Sequence, residues 1–334
     1  MSNQTTIAQR LGQTGQVASF AELQQLVFDF ECVLKRFGVA IQSGSELEGA
    51  CCSVLEVLGK NQNKAVRDPS EDIRAVFTEV LGIWAFLKKV VRLQNHVCFP
   101  QFVPHLNLLN KGTVVQNKRI RACQEATNKI FELLFALVLL DVSTDVVLDH
   151  PDLAKGDNPD VLATIDGVCW GFACKTIYGA SGKTLFDNLK KGVEQIEAAP
   201  KAGIGIVVVN LRNTISHEEC WPILNDADYR AGAEPIFGAY SHPEDVIGPL
   251  IWEAVAQKRN DVVAEIELPN VTNLFAGKKA LPAFLAFCQT CTGKASAVGP
   301  IPTTILTLSL GTFGDVQAHQ AVFERINFAL HERL

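Results

Sequence analysis

The stretch NPDVLATIDGVCWGFACKTIYG, residues 158–179, decides the fold. Val161 to Asp166 and Val168 to Ile177 contain the β-branched and aromatic residues that favour strands. The pair Asp166-Gly167 between them is typical of a two-residue hairpin turn. The stretch therefore predicts two adjacent antiparallel strands.

The second of these strands has two unlike faces. Its bulky apolar face predicts a core position and consists of Val168, Trp170, Phe172 and Cys174. Its other face has smaller residues and a lysine, namely Cys169, Gly171, Ala173 and Lys175. The small side chains predict room for a ligand beside the Lys175 ammonium. The alternative is a lysine at a strand end that reaches solvent.

Helices and further strands are predicted on both sides of this stretch. A helix runs from about Asn117 to Leu140, and another from Lys183 to Ala198. Apolar residues at three- and four-residue spacing predict helices within residues 20–60 and 71–95. The remaining candidates are strands at Asp145 to Leu148, Gly205 to Leu211 and Thr303 to Leu310, and helices at Pro243 to Gln257 and Asp315 to Arg333. We expect a mostly helical N-terminal region over residues 1–115 and a second domain over 116–334.

Two acidic residues stand out in these elements. Glu132 is the only charged residue between Ile130 and Leu140, and a helix that is apolar nearly all round is buried. An unpaired buried carboxylate is costly, so we expect a cation or strong donors beside Glu132 unless it lies at a surface edge. Asp160 follows Pro159 at the start of a strand, where ordinary turn chemistry is the simpler interpretation.

Taken together, these features resemble the PD-(D/E)XK phosphodiesterase superfamily, which includes restriction-type endonucleases. The resemblance covers residues 125–211, with FELLFALVLL upstream and GKTLFDNLKKGVEQIEAAP and GIGIVVVNL downstream of the quoted stretch. It implies an α/β fold with a restriction endonuclease-like mixed β-sheet core flanked by helices. It also implies hydrolysis of phosphodiester bonds with Mg²⁺, or with Mn²⁺ in its place.

The resemblance implies a role for several residues. Asp160 corresponds to the metal-binding aspartate, Lys175 to the catalytic lysine and Glu132 to the helix glutamate. Gln195 resembles a polar residue that some branches place on the following helix, and the backbone carbonyl of Cys174 is a further metal ligand. Ala173 departs from the pattern, because the family has Asp or Glu there and alanine cannot bind a metal. We therefore expect weak or no activity. Three explanations for the alanine remain open: a natural loss for which Glu132 compensates, a domain that binds without cutting, or an engineered substitution that silenced the enzyme.

DNA is the expected substrate ahead of RNA, and Lys183, Lys190, Lys191 and Lys201 could contact phosphates. Asp187, Glu194 and Glu197 alternate with them, so a solvated helix face explains them equally well. The first alternative function is a catalytically inactive nuclease-fold module that binds nucleic acid or protein. The second is a nucleotide-binding protein, because residues 179–184, GASGKT, are similar to the end of a phosphate-binding loop. That motif also needs a glycine five residues before Gly182, and Ile177 stands there instead.

Composition limits the other function classes. Hydrophobic residues make up 48% and charged residues 20%, which is typical of a globular protein, and the net charge of −6 argues against a polycation. The N-terminus has no export signal and no apolar run is long enough to span a bilayer, so we expect a cytoplasmic protein, with a homodimer left open. Ten scattered cysteines predict reduced thiols; the single CxxC at Cys288 and the sequence HEECW at His217 are weak metal motifs.

Overall fold

The structure, a computed structural model, describes residues 8–11, 16–17, 20–63, 73–152, 158–224, 238–297 and 301–332. Three long helices follow one another near the N-terminus: α1 (Phe20–Arg36), α2 (Glu46–Asn63) and α3 (Ile73–Leu93). They lie within residues 1–115, the region that we predicted to be mostly helical.

The strands of the described ranges form one mixed sheet. They are β1 (Ala8–Arg10), β2 (Gln16–Val17), β3 (Val146–Leu148), β4 (Val161–Ile165), β5 (Val168–Thr176), β6 (Ile204–Asn210), β7 (Ala280–Lys294) and β8 (Ile301–Thr312). The order is β1-β8-β7-β6-β5-β4-β3, and β2 also pairs with β8. β6 runs parallel to both β5 and β7, and the other pairs are antiparallel.

The remaining helices cover the two faces of the sheet. They are α4 (Val103–Leu106), α5 (Glu125–Leu139), α6 (Gly182–Ala198), α7 (Pro243–Ile266), α8 (Leu268–Phe275) and α9 (Gln320–Glu332). Helices α1, α2, α3, α5 and α9 share one apolar cluster with one face, and α6, α7 and α8 share a second cluster with the opposite face. The predicted α/β class, a mixed sheet flanked by helices, is confirmed. No helix in these ranges combines the length and apolar character needed to cross a membrane.

The hairpin predicted within residues 158–179 is present. Asp166 and Gly167 have φ angles of 54° and 77°, and positive values at both central residues are what a type I′ turn requires. The turn joins β4 and β5 in antiparallel register, with Val161 opposite Phe172. The predicted strand pair is confirmed.

The structure differs from the sequence prediction at the start of α5 and at β7. The helix expected from about Asn117 begins only at Glu125. The preceding segment is tied to residues after β6, because Asn213 Oδ1 accepts from the Ile120 amide at 2.8 Å and the Ile215 carbonyl accepts from Arg119 Nε at 2.9 Å. Strand β7 was not predicted, because it is buried on both faces and lacks the alternation that marks a half-exposed strand.

Candidate active site

The candidate site lies where β4 begins and β5 ends. Because the two strands are antiparallel, Asp160, immediately before β4, is placed beside the last residues of β5. The Cys174 amide donates to Asp160 Oδ2 at 2.7 Å. Backbone pairing and this hydrogen bond together hold the buried Asp160 carboxylate at the end of the strand.

Lys175 is held inside the protein by three acceptors. Its Nζ lies 3.2 Å from Asp160 Oδ2, 3.0 Å from the Cys174 carbonyl oxygen and 2.6 Å from Gln195 Oε1. Gln195 belongs to α6, so a helix packed on one face of the sheet contributes a side chain to the site. The lysine side chain is only 14% exposed, so it does not extend into solvent.

Glu132 comes from α5 on the opposite face and is also buried. The cation expected beside it is Lys129, one helical turn earlier, whose Nζ lies 2.9 Å from Glu132 Oε2. The same ammonium lies 3.8 Å from Asp160 Oδ1. Lys129 thus connects the two acidic residues, and the i,i+3 spacing on an apolar helix was the signal that could have identified it.

Burial controls the protonation of these groups. It raises the pKa of Glu132 to about 8; the nearby Asp160 raises it too, while the Lys129 and Lys175 ammonium groups act against the shift. For Lys129 burial lowers the pKa, but the Glu132 and Asp160 carboxylates more than offset this, so the net pKa is raised. The ammonium therefore stays charged at neutral pH. Burial also raises the pKa of the Cys174 thiol, which makes it a poor nucleophile.

His105 approaches the site from α4. Its Nε2 is 3.9 Å from Glu132 Oε2, and neither ring nitrogen has a hydrogen-bond partner in the described part of the chain. Burial lowers the pKa of His105 to about 3, with smaller contributions from Lys129 and His150. The ring is therefore neutral at physiological pH, and the sequence had no pattern that singled it out.

A cavity of about 270 Å³ opens onto these groups. Lys129, Glu132 and Lys175 lie at its wall, together with polar residues that no sequence pattern indicated. Among these, the Tyr178 hydroxyl donates to Asn128 Oδ1 at 2.7 Å. The cavity is large enough to admit part of a ligand that reaches the two lysines.

Most of the small face of β5 is covered by α6 and by neighbouring residues. Ala173 is fully buried under α6, and a Cβ added at Gly192 would lie 3.3 Å from the Ala173 Cβ. A Cβ added at Gly171 would lie 3.3 Å from side-chain atoms of Pro159 and Ala202. Helix and loop atoms thus fill the volume beside Gly171 and Ala173, and room for a ligand remains at the Lys175 end of this face, where Lys175 lines the cavity.

The residues present suit a divalent cation in their chemistry, although the set is incomplete. Asp160, Glu132 and the Cys174 carbonyl supply the oxygen atoms that Mg²⁺ prefers. In this structure the same oxygen atoms contact the ammonium groups of two lysines. Ala173 adds no ligand. Within the described ranges, no cluster of three or more His, Cys, Asp or Glu side chains could hold a metal. A bound Mg²⁺ would therefore depend on two carboxylates, the carbonyl and water.

The other motifs of the sequence have structural roles. The amides of Gly182 and Lys183, which a phosphate-binding loop would offer to a nucleotide, both donate to the Glu265 carboxylate at 2.8 Å. His217 is buried, with Nδ1 3.1 Å from Thr290 Oγ1 and Nε2 2.9 Å from the Arg212 carbonyl oxygen. Cys288 and Cys291 are both fully buried, and a spacing of three places them on opposite faces of β7.

The predicted phosphate-contacting lysines lie on or next to α6. Lys183, Lys190, Lys191 and Lys201 are all exposed, and Lys183 Nζ pairs with Asp187 at 2.9 Å. Because these lysines are exposed, a ligand could contact them. The ion pair between Lys183 and Asp187 agrees equally well with an ordinary solvated helix face.

Comparison of the chain with protein-family models, with curated proteins and with solved structures finds no match. Inference about the function of the chain therefore depends on the geometry of the site.

Proposed function

We propose that the chain has a restriction endonuclease-like fold and is a metal-dependent nuclease that hydrolyses phosphodiester bonds of DNA, weakened by the alanine at position 173. The observation that carries the proposal is the convergence of Asp160, Lys175 and Gln195 at the end of β5. The order α5-β3-β4-β5-α6-β6 agrees with the core that the resemblance implies.

In this mechanism the protein groups position and neutralise charge. The Lys175 ammonium, fixed by Asp160 and Gln195, is placed to donate to a phosphate oxygen or to orient an attacking water. Asp160 and Glu132 would hold Mg²⁺ with the Cys174 carbonyl, and the metal would supply charge shielding and an activated water. Because Ala173 adds no carboxylate, the metal would be held by fewer protein ligands, and we expect slow hydrolysis.

Substrate would approach along the cavity. Tyr178 and Asn128 line it beside the two lysines, and the exposed lysines of α6 are candidates for contacts with the phosphate backbone. Contacts of this kind are independent of sequence, so we expect little base preference.

The alternative is a nuclease-fold module that binds nucleic acid or protein without cutting. The buried packing of Ala173 against α6 favours this alternative, because the position has been filled as apolar core. Both proposals share the missing carboxylate at position 173, and they differ in whether the chain cleaves phosphodiester bonds.

The test is cleavage of supercoiled plasmid with Mg²⁺ or Mn²⁺ by the native chain and by Asp160→Asn, with Lys278→Met, at an exposed position between α8 and β7, as a control for loss of a surface charge. We expect slow nicking by the native chain and by Lys278→Met, and none by Asp160→Asn. Equal nicking by Asp160→Asn would place the activity elsewhere. No cleavage of plasmid, single-stranded DNA or RNA by the native chain, with binding retained, would support the non-cutting module.

A further inference from the structure

One ammonium group lies between the two acidic side chains of the site. Lys129 Nζ is 2.9 Å from Glu132 Oε2 and 3.8 Å from Asp160 Oδ1. The lysine side chain is 10% exposed, so acidic side chains rather than solvent lie beside its charge. A cation in this position links α5 to the start of β4.

Lys129 and Lys175 are anchored differently. Lys175 is held by Asp160, by the Gln195 side chain and by the Cys174 carbonyl, so its place is fixed even if one contact is lost. Lys129 contacts the two carboxylates that are the proposed metal ligands. Its flexible stem lies at the cavity wall, which leaves space into which the ammonium can move.

We propose that the Lys129 ammonium occupies the place of a divalent cation between Glu132 and Asp160, so that a metal binds there only after Lys129 moves away. The inference rests on the proposed function, because it assigns a built-in competitor to the same site. A divalent ion and an ammonium a few ångströms apart repel each other strongly in a partly buried site. Lys129 would thereby balance negative charge in the site when no metal is bound and weaken metal binding.

Mn²⁺ titration by isothermal calorimetry tests this directly. Lys129→Met keeps the length of the side chain without its charge, and we expect the Kd for Mn²⁺ to fall by ~10-fold or more relative to the native chain. Lys129→Arg keeps the charge and should bind Mn²⁺ as weakly as the native chain. Lys278→Met, which removes an exposed charge between α8 and β7, should also leave the Kd unchanged. Equal Kd values for Lys129→Met and the native chain would overturn the proposal, as would equal tightening by Lys129→Arg.

Lys129→Met removes the ion-pair partner of the buried Glu132, and this loss can impair folding. Lys129→Gln is the second variant, since its amide can still donate to Glu132 and carries no charge. Circular dichroism without and with Mn²⁺ follows the fold of both variants. If either is unfolded without metal, the proposal requires Mn²⁺ to restore its fold, and failure of Mn²⁺ to do so in both would overturn it.

Metal binding and cleavage are read separately, so the two proposals can fail independently. Tighter Mn²⁺ binding by Lys129→Met without plasmid cleavage would retain the role of Lys129 and remove the nuclease. Cleavage by the native chain that depends on Asp160, with no change in Kd on replacing Lys129, would retain the nuclease and remove the competitor.

Discussion

Replacement of Gly192 by alanine tests how closely α6 packs on the strands that form the site. Gly192 faces β5 and β6, and its added Cβ would lie 2.6 Å from a Val207 methyl carbon and 3.3 Å from the Ala173 Cβ. Both neighbours are fully buried. A carbon at 2.6 Å from a branched core side chain therefore requires α6 or β6 to shift.

The expected magnitude is the difference between two opposing effects. Alanine is more favourable than glycine inside a helix by about 1 kcal/mol. Overpacking of a filled core costs about 1–3 kcal/mol. We expect Gly192→Ala to lower the free energy of unfolding by about 1 kcal/mol. Because Gln195 also belongs to α6, a shift of this helix should lengthen the contact between Gln195 and Lys175.

Urea denaturation followed by circular dichroism measures the change. Lys191→Ala, at the adjacent exposed position of the same helix, is the matched control and should change stability by less than about 0.5 kcal/mol. Stabilisation of Gly192→Ala by about 1 kcal/mol, the value for an unhindered helix glycine, would refute the close packing of α6 on β5 and β6.

Two further predictions concern residues outside the site. The pKa of His217 is lowered by burial from 6.5 to about 4, so as pH falls through this window the unfolded chain binds a proton that the folded chain does not. The folded state should lose up to about 3 kcal/mol over that window, and His217→Gln should show a flatter pH dependence in urea denaturation; parallel curves would contradict the assignment. Glu265→Ala removes the acceptor for the Gly182 and Lys183 amides and should lower the stability by about 1 kcal/mol, seen as a lower Tm. An unchanged Tm for Glu265→Ala would show that this carboxylate does not stabilise the start of α6.

The elements around the site were predictable because their signals are local. The Asp166-Gly167 turn and the apolar periodicity of α6 are properties of neighbouring residues, and the structure agrees with both. The need for a cation beside Glu132 also followed from the sequence, because the surrounding helix is apolar on all sides.

Other features depend on contacts between distant residues. The late start of α5 follows from the bond between Ile120 and Asn213, which no pattern around residue 120 indicates. The sequence does not show that α6 packs closely over Ala173 at Gly192, which confines the open space to the Lys175 end of β5. His105 and Tyr178 enter the site only because of how α4 and the end of β5 are placed. The sequence around each of these residues does not show which distant residues it contacts.

The metal and the nucleic-acid substrate remain proposals from the resemblance and from the geometry. The most direct test of the central claim is plasmid cleavage by Ala173→Glu in Mg²⁺ and Mn²⁺, compared with the native chain and with Ala173→Glu carrying Asp160→Ala. If the site is a nuclease that lacks one carboxylate, Ala173→Glu should cut ~10-fold faster or more than the native chain, and the added Asp160→Ala should abolish the gain. A folded Ala173→Glu that cuts no faster than the native chain, or whose activity survives Asp160→Ala, would contradict the claim.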